Sequence, residues 1–211
     1  STSEIENSIK ARVGCINVES LDELERISGL AEKLGVCAPI AVRVNPNINP
    51  KTHPYISTGL KENKFGIPME EAREFYRRIA KKKSLKPVGI ACHIGSQLTS
   101  LEPVVEALGE IVLLAEELKS EGIVLNHIDC GGGLGIRYQS ENPPSIEAWV
   151  AMLKQNVPES YRIYVEPGRS IVGPAGVLLT KIEYIKNSAS QKFAVVDAAM
   201  NDLLRPALYG A

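Results

Sequence analysis

Short apolar runs alternate along this chain with longer amphipathic stretches, the periodicity of strand–helix units laid on a parallel sheet. Strands are expected at Val13–Val18, Ile40–Asn45, Pro87–Ile94, Leu125–Asp129 and Arg162–Val165. These runs are mostly continuously apolar rather than alternating, as strands become when helices cover the outer face of a sheet. The stretches between them read as helices over Leu21–Leu34, behind the cap-like Ser20, over Met69–Lys82, over Leu101–Glu121, which Gly122 ends, and over Ile146–Leu153. After Gly173 the pattern changes: Val177–Ile185 alternates apolar and polar residues, and Phe193–Val196 follows a polar turn. Residues 1–172 therefore read as a parallel α/β domain and residues 173–211 as the beginning of a β-rich one. Five strand–helix units fall short of the eight that close a (β/α)8 barrel, which takes about 250 residues. The count points to an incomplete barrel, while an open doubly wound sheet also fits the length.

Composition narrows the functional classes. The 211 residues are 44% hydrophobic and 23% charged, enough to bury a core and exclude global disorder. A net charge of -1, from 24 basic and 25 acidic residues, leaves no electrostatic footprint for nucleic acid or an acidic membrane. No apolar run approaches the ~18 residues of a membrane span, and Ser1-Thr2-Ser3-Glu4 lacks the features of a signal peptide. A soluble, cytoplasmic protein is expected, with a natural start upstream of Ser1. Cys15, Cys37, Cys92 and Cys130 form no metal-ligand spacing and read as reduced, largely buried thiols, so no metal is expected.

In parallel α/β folds the working groups gather at the C-terminal ends of the strands. Four polar clusters fall there: His93-Ile94-Gly95-Ser96-Gln97, Asp129 through Gly135, Glu166-Pro167-Gly168-Arg169 and, after the later β run, Asp197 through Tyr209. Gly131, Gly132 and Gly133 leave backbone N–H groups bare of side chains, which suits a phosphate nest; a tight turn is the plainer alternative. The dinucleotide pattern G-x-G-x-x-G fails in both frames, its last position falling on Ile136 or Tyr138. Glu166 can hydrogen-bond a protonated ring nitrogen and Arg169 can clamp a phosphate or carboxylate, although an ordinary ion pair between the two explains the same spacing. His93 reads either as a satisfied histidine at a sheet edge or as an imidazole stacked on a planar cofactor, with Ser96 able to donate to a phosphate. Arg205 and Tyr209 lie four apart among leucines, where a buried guanidinium requires an anion. His53 and His127 have no partner visible in the sequence, and Lys81-Lys82-Lys83 reads as a solvated helix end.

Taken in order, these clusters and Arg205-Pro206-Ala207-Leu208-Tyr209 resemble the diaminopimelate decarboxylase family. Its members are fold-type III pyridoxal-phosphate enzymes with an alanine-racemase-like barrel followed by a β-domain. Asn45 through Pro50, His53 through Gly59 and Lys64-Phe65-Gly66 are similar to that family as well, so the resemblance runs over nearly the whole chain. It implies a partial TIM (β/α)8 barrel over residues 1–172 and the start of a C-terminal β-domain over 173–211. It implies pyridoxal 5'-phosphate as cofactor, its phosphate held by Gly131, Gly132, Gly133, Ser96 and the turn Pro167-Gly168-Arg169. His93 would stack on the ring, and Glu166 would bind the pyridine nitrogen and keep it protonated, these two being the catalytic pair. Asp129 would orient a basic neighbour, with Arg169 the candidate. Arg169, Arg205 and Tyr209 would bind the distal carboxylate of an amino-acid substrate. Ornithine, lysine and arginine carry cationic distal ends that such arginines repel, which favours meso-2,6-diaminopimelate, decarboxylated to L-lysine and CO2. A homodimer is implied for the full-length protein.

The departures are equally specific. The family's Schiff-base lysine sits in a Lys-Ala-Asn context that no lysine here shares, and Ile16 through Leu24 resembles a segment already downstream of it. The chain stops at Tyr209-Gly210-Ala211, before the family's Cys-Glu-Ser motif, and Ala199 stands where the family has glycine. The expectation is an internal piece of such an enzyme, inactive alone. The alternatives are a basic amino-acid decarboxylase of the same fold type and a non-catalytic cofactor-binding homologue.

Overall fold

The computed structural model describes residues 1–49 and 64–209. The His53–Gly59 stretch lies outside the described residues. The chain divides into two compact units, Ser1–Ile171 and Val172–Ala211.

The larger unit opens with helix α1 (Thr2–Lys10), which the hydrophobic pattern does not announce because Ile9 is its one buried residue. Its signal is local instead: Ser1 and Glu4 form a reciprocal capping box. Strand–helix units follow: β1 (Ile16–Val18), α2 (Leu21–Leu34), β2 (Ala38–Asn45), β3 (Ile67–Pro68), α3 (Met69–Lys81), β4 (Leu85–Ala91), α4 (Glu102–Ser120), β5 (His127–Asp129), α5 (Ile146–Asn156) and β6 (Arg162–Tyr164), then a short α6 (Arg169–Val172). Helix α2 starts where the Ser20 hydroxyl accepts the Glu23 N–H and stops where Gly35 takes a left-handed φ of 66°.

All strands of this unit run parallel, in the order β1-β2-β4-β5-β6, with β3 beside β2. Apart from the short β3, the order follows the chain without the reversal that a doubly wound sheet shows at its switch point. The sheet is therefore a partial (β/α)8 barrel. On the helix side, Ile40, Val42, Ile90 and Ile128 join Leu24, Ile79, Leu108 and Ile111 in one apolar core. Burying each such side chain contributes about 1.5–3 kcal/mol. Tyr76 of α3 donates its hydroxyl to the Gly89 carbonyl at 2.7 Å and accepts the Val42 N–H at 3.4 Å, pinning the helix to two strands.

Successive side chains alternate faces, so the opposite face carries different chemistry. The register aligns Asn17, Ala41, Gly89, His127 and Arg162 in one row and Arg43, Ala91, Asp129 and Tyr164 in the next, nearer the strand ends. The apolar run Pro87–Ile94 outlasts its strand, because the ladder ends at Ala91 and the chain then turns toward the site.

In the smaller unit, β7 (Ile182–Asn187) and β8 (Lys192–Val196) form an antiparallel hairpin, and α7 (Arg205–Tyr209) ends the described chain. β7 starts later than the alternation predicts. The Asp197 carboxylate accepts the Thr180 hydroxyl at 2.7 Å and the Lys181 N–H at 2.9 Å, which satisfies upstream backbone by a side chain instead of a ladder. Arg12, Asn47 and Gln97 are the described non-glycine residues with positive φ; Ala199, in the place of the family's glycine, is not among them. The four cysteines are free thiols; Cys92 and Cys130 are buried, Cys15 is partly covered and Cys37 is exposed.

Candidate active site

Three of the four polar clusters meet because backbone hydrogen bonds between neighbouring segments go on past the ends of the strands. The Cys92 N–H donates to the Asp129 carbonyl at 3.0 Å, the Cys130 N–H to Tyr164 at 2.9 Å, and the Glu166 N–H to Gly131 at 2.8 Å. Beyond that point Leu98 N–H donates to the Gly133 carbonyl at 2.8 Å and Gly135 N–H to Leu98 at 3.0 Å. The glycines permit this approach. Gly131 and Gly133 take φ of 65° and 100°, and a Cβ at Gly132 or Gly133 would strike the carbonyl oxygen of Glu166 or Gly95 respectively. His93, Ser96, Gly131–Gly133 and Glu166 thus occupy adjoining loops at one end of the sheet.

Two of the three glycine N–H groups are already engaged. Gly131 donates to Asp129 Oδ1 at 2.9 Å and Gly132 to His93 Nδ1 at 3.2 Å. The second bond fixes the imidazole and, in its neutral form, places its proton on Nε2. Burial, reinforced by the Arg43 charge and opposed by Asp129, holds the His93 pKa below the ordinary histidine value.

Asp129 does not orient Arg169. Its carboxyl turns instead to the Gly131 N–H and to the Glu166 carboxyl, because it follows the inward parity of β5. Partial desolvation first, then the charge and hydrogen bond of Asp129, push the Glu166 pKa above the usual carboxylate value, while Arg43 pulls it down. Arg169 is held from other loops: its Nη1 donates to Gln97 Oε1 at 3.4 Å and to the Tyr138 hydroxyl at 3.2 Å, with the guanidinium 5.8 Å from that ring's centroid. Among the described residues it forms no ion pair with Glu166. Pro167 and Gly168 make the turn into α6, closed by Ile171 N–H to the Gly168 carbonyl at 3.0 Å. Arg205 and Tyr209 lie on α7 of the smaller unit, and Arg169 belongs to the larger one.

Sequence reasoning gave no role to Arg43, Glu19, Tyr138 or Gln97, although Gln97 falls in a strand-end cluster. Arg43 Nη1 pairs with Glu19 Oε1 at 2.8 Å, and the other carboxylate oxygen of Glu19 accepts the Gly66 N–H at 3.0 Å. Arg43 shares its row with Asp129, and Ala91 between them leaves room. The signal was one charge interrupting Ile40-Ala41-Val42-Arg43-Val44, where an apolar strand has no other use for it. His127, without a visible partner in the sequence, is buried one row lower, its ring stacked on Tyr164 at 4.2 Å and 17°.

A sequentially ordered parallel barrel with a glycine loop, a fixed imidazole and a carboxyl pair at its strand ends is the architecture of a cofactor-binding barrel domain. The chain belongs to the pyridoxal-dependent decarboxylase family: the family profile described as "Pyridoxal-dependent decarboxylase, pyridoxal binding domain" matches residues 1–173. It is similar to the diaminopimelate decarboxylase of Neisseria meningitidis, 51% identical over 212 residues, covering 100% of this chain and 51% of that protein. The diaminopimelate decarboxylase of Pseudomonas aeruginosa is 50% identical over 209 residues, covering 99% and 50%. The crystal structure of Helicobacter pylori diaminopimelate decarboxylase complexed with L-lysine superposes with a TM-score of 0.96 at 44% identity, over 100% of this chain and 53% of that one. The chain thus spans about half the length of the curated relatives it matches.

Proposed function

We propose that this chain is the pyridoxal-phosphate barrel, with the start of the β-domain, of an enzyme that decarboxylates meso-2,6-diaminopimelate to L-lysine and CO2. One observation carries the reading: the convergence of Gly131–Gly133, His93 and Glu166 at adjoining strand ends, in a chain that resembles diaminopimelate decarboxylases from end to end.

The residues fit the cofactor. Partial burial and then the Asp129 charge both disfavour an ionised Glu166, and a protonated ring nitrogen beside it would offset them. A Cβ at Gly131, Gly132 or Gly133 would collide with the carbonyl oxygen of Cys92, Glu166 or Gly95, so only glycine lets this loop close on the strand ends and offer its backbone to a phosphate. Pyridoxal phosphate, when bound, supplies a sink for the electron pair left as CO2 departs. Glu166 would hold the proton on the ring nitrogen, and His93, anchored through Nδ1, would stack on the ring. With the Gly131 and Gly132 N–H groups engaged, the phosphate falls to Gly133, the Ser96 hydroxyl and the Gly168-Arg169 turn. In the assembled protein Arg169, Arg205 and Tyr209 take the distal carboxylate. No lysine among residues 1–211 stands in the Lys-Ala-Asn context of a Schiff-base lysine, so in this reading these residues alone release no CO2. The full-length protein is a cytoplasmic homodimer in this reading.

A substrate panel tests it. The full-length protein with pyridoxal phosphate is expected to release CO2 from meso-diaminopimelate at least about a hundredfold faster than from ornithine, lysine or arginine, the selectivity two charge-paired contacts provide. Preference for a basic amino acid would transfer the chain to that neighbouring class, and inactivity on all four would favour a non-catalytic binding protein.

A further inference from the structure

We propose that Gln97 is a positioning residue that, together with Tyr138, aims the Arg169 guanidinium and ties it to the glycine loop. The proposal rests on the reading of Arg169 as a ligand of the substrate's distal carboxylate, and it adds what holds that guanidinium in place.

The geometry is unusually determined for an amide side chain. Gln97 Nε2 donates to the Ile136 carbonyl at 2.6 Å while Oε1 accepts the Ile136 N–H at 3.2 Å, so both ends of the amide close on one backbone unit. Rotating the amide would lose both bonds, which fixes Oε1 on the side where Arg169 Nη1 meets it at 3.4 Å. Gln97 also holds a left-handed φ of 59°, a strain that persists where the surroundings over-determine a residue. Its neighbour Leu98 bonds both ways to the glycine loop, to the Gly133 carbonyl at 2.8 Å and from Gly135 N–H at 3.0 Å. Tyr138, two residues past Ile136, meets the same Nη1 at 3.2 Å.

The choice of partners has a chemical consequence. An arginine braced by a carboxylate has its charge neutralised before any ligand arrives. Arg169 is braced among the described residues by an amide oxygen and a phenol, so its full charge remains available to an anion. Because Gln97 joins Ile136 and its neighbour Leu98 joins Gly133 and Gly135, the same turn sets the carboxylate grip and the phosphate cradle.

The test compares meso-diaminopimelate with D-lysine, which shares the reacting centre and lacks the distal carboxylate, in the full-length holoenzyme. The readout is the ratio of their kcat/KM values. Gln97→Leu and Tyr138→Phe are each expected to lower that ratio about tenfold, the effect of losing one hydrogen bond that orients a charged group. Arg169→Ala is expected to lower it about a hundredfold, and Gln97→Leu added to Arg169→Ala is expected to lower it no further. Equal losses on both substrates, or an additive loss in the double variant, would overturn the positioning role and leave the Arg169 assignment standing. A parental ratio in Arg169→Ala would overturn both. Should Gln97→Leu fail to fold, Tyr138→Phe, which removes one hydroxyl, carries the same comparison.

Discussion

A methyl group on Gly132 tests the contact on which the whole site depends. Its Cβ would strike the Glu166 carbonyl oxygen and stand 2.9 Å from the Glu166 carbonyl carbon, against an ordinary carbon separation of about 3.5 Å or more. Both neighbours are backbone, so neither can swing aside, and the glycine loop must retreat from the end of β6. Overpacking of this kind costs about 1–3 kcal/mol. The retreat also breaks the Gly132 N–H bond to His93 Nδ1, now 3.2 Å long, for about 1 kcal/mol more. The sum of about 2–4 kcal/mol, expressed in cofactor binding, is a loss of about 30- to 700-fold in affinity. Equilibrium dialysis of pyridoxal phosphate against the full-length Gly132→Ala protein reads the affinity, and calorimetry reads the stability. Gly109→Ala is the control: it lies on α4 with nothing within 4 Å of its Cβ, and should stabilise by about 0.5–1 kcal/mol. Gly132→Ala with cofactor affinity within about twofold of the parent, and no loss of stability, would refute the convergence of these loops.

Other perturbations separate the contributions to the site. Asp129→Asn keeps an Oδ1 acceptor for Gly131 N–H but removes the charge that raises the Glu166 pKa; ring-nitrogen binding needs ionised Glu166, so cofactor affinity, titrated against pH, should persist to lower pH in the variant. The stability side has the same sign. A raised folded-state pKa gives a contribution that is full below the unfolded carboxylate pKa and lost as pH rises through the folded one, and Asp129→Asn should shrink that loss in pH-dependent urea melts. Arg43→Gln removes a cation that lowers both Glu166 and His93, so both titrations should move to higher pH, His93 being followed by NMR. Leu108→Ala, at a fully buried position in α4, should cost about 2–5 kcal/mol in urea unfolding without changing cofactor affinity.

What the sequence could show depended on how local each signal was. Helix α2 is written in its own ends, Ser20 and Gly35, and the strands in their apolar runs. Strand lengths were overread where apolar residues keep going after the ladder stops: Cys92 and Ile94 remain buried although β4 ends at Ala91. Helix α1 was missed because a capping box, not a buried face, sustains it. The three clusters His93, Gly131–Gly133 and Glu166 were visible as strand-end chemistry, since parallel folds collect such groups at one edge. Their cross-links were not visible. Glu19 and Arg43, like Gln97 and Ile136, meet only because neighbouring strands stand side by side. The family resemblance implies that Asp129 orients a basic neighbour, with Arg169 the candidate, but the pleat directs Asp129 into the row of Arg43 and toward Glu166.

The proposed function requires residues 1–211 to carry a cofactor cradle and, with no lysine in a Lys-Ala-Asn context, to release no CO2 alone. Incubating residues 1–211 and the full-length protein in parallel with pyridoxal phosphate and meso-diaminopimelate, and counting CO2 against L-lysine, tests this directly. The full-length protein should yield the two products one for one while residues 1–211 yield neither. Enzyme-like CO2 release by residues 1–211 alone, or none from the full-length protein, would contradict it.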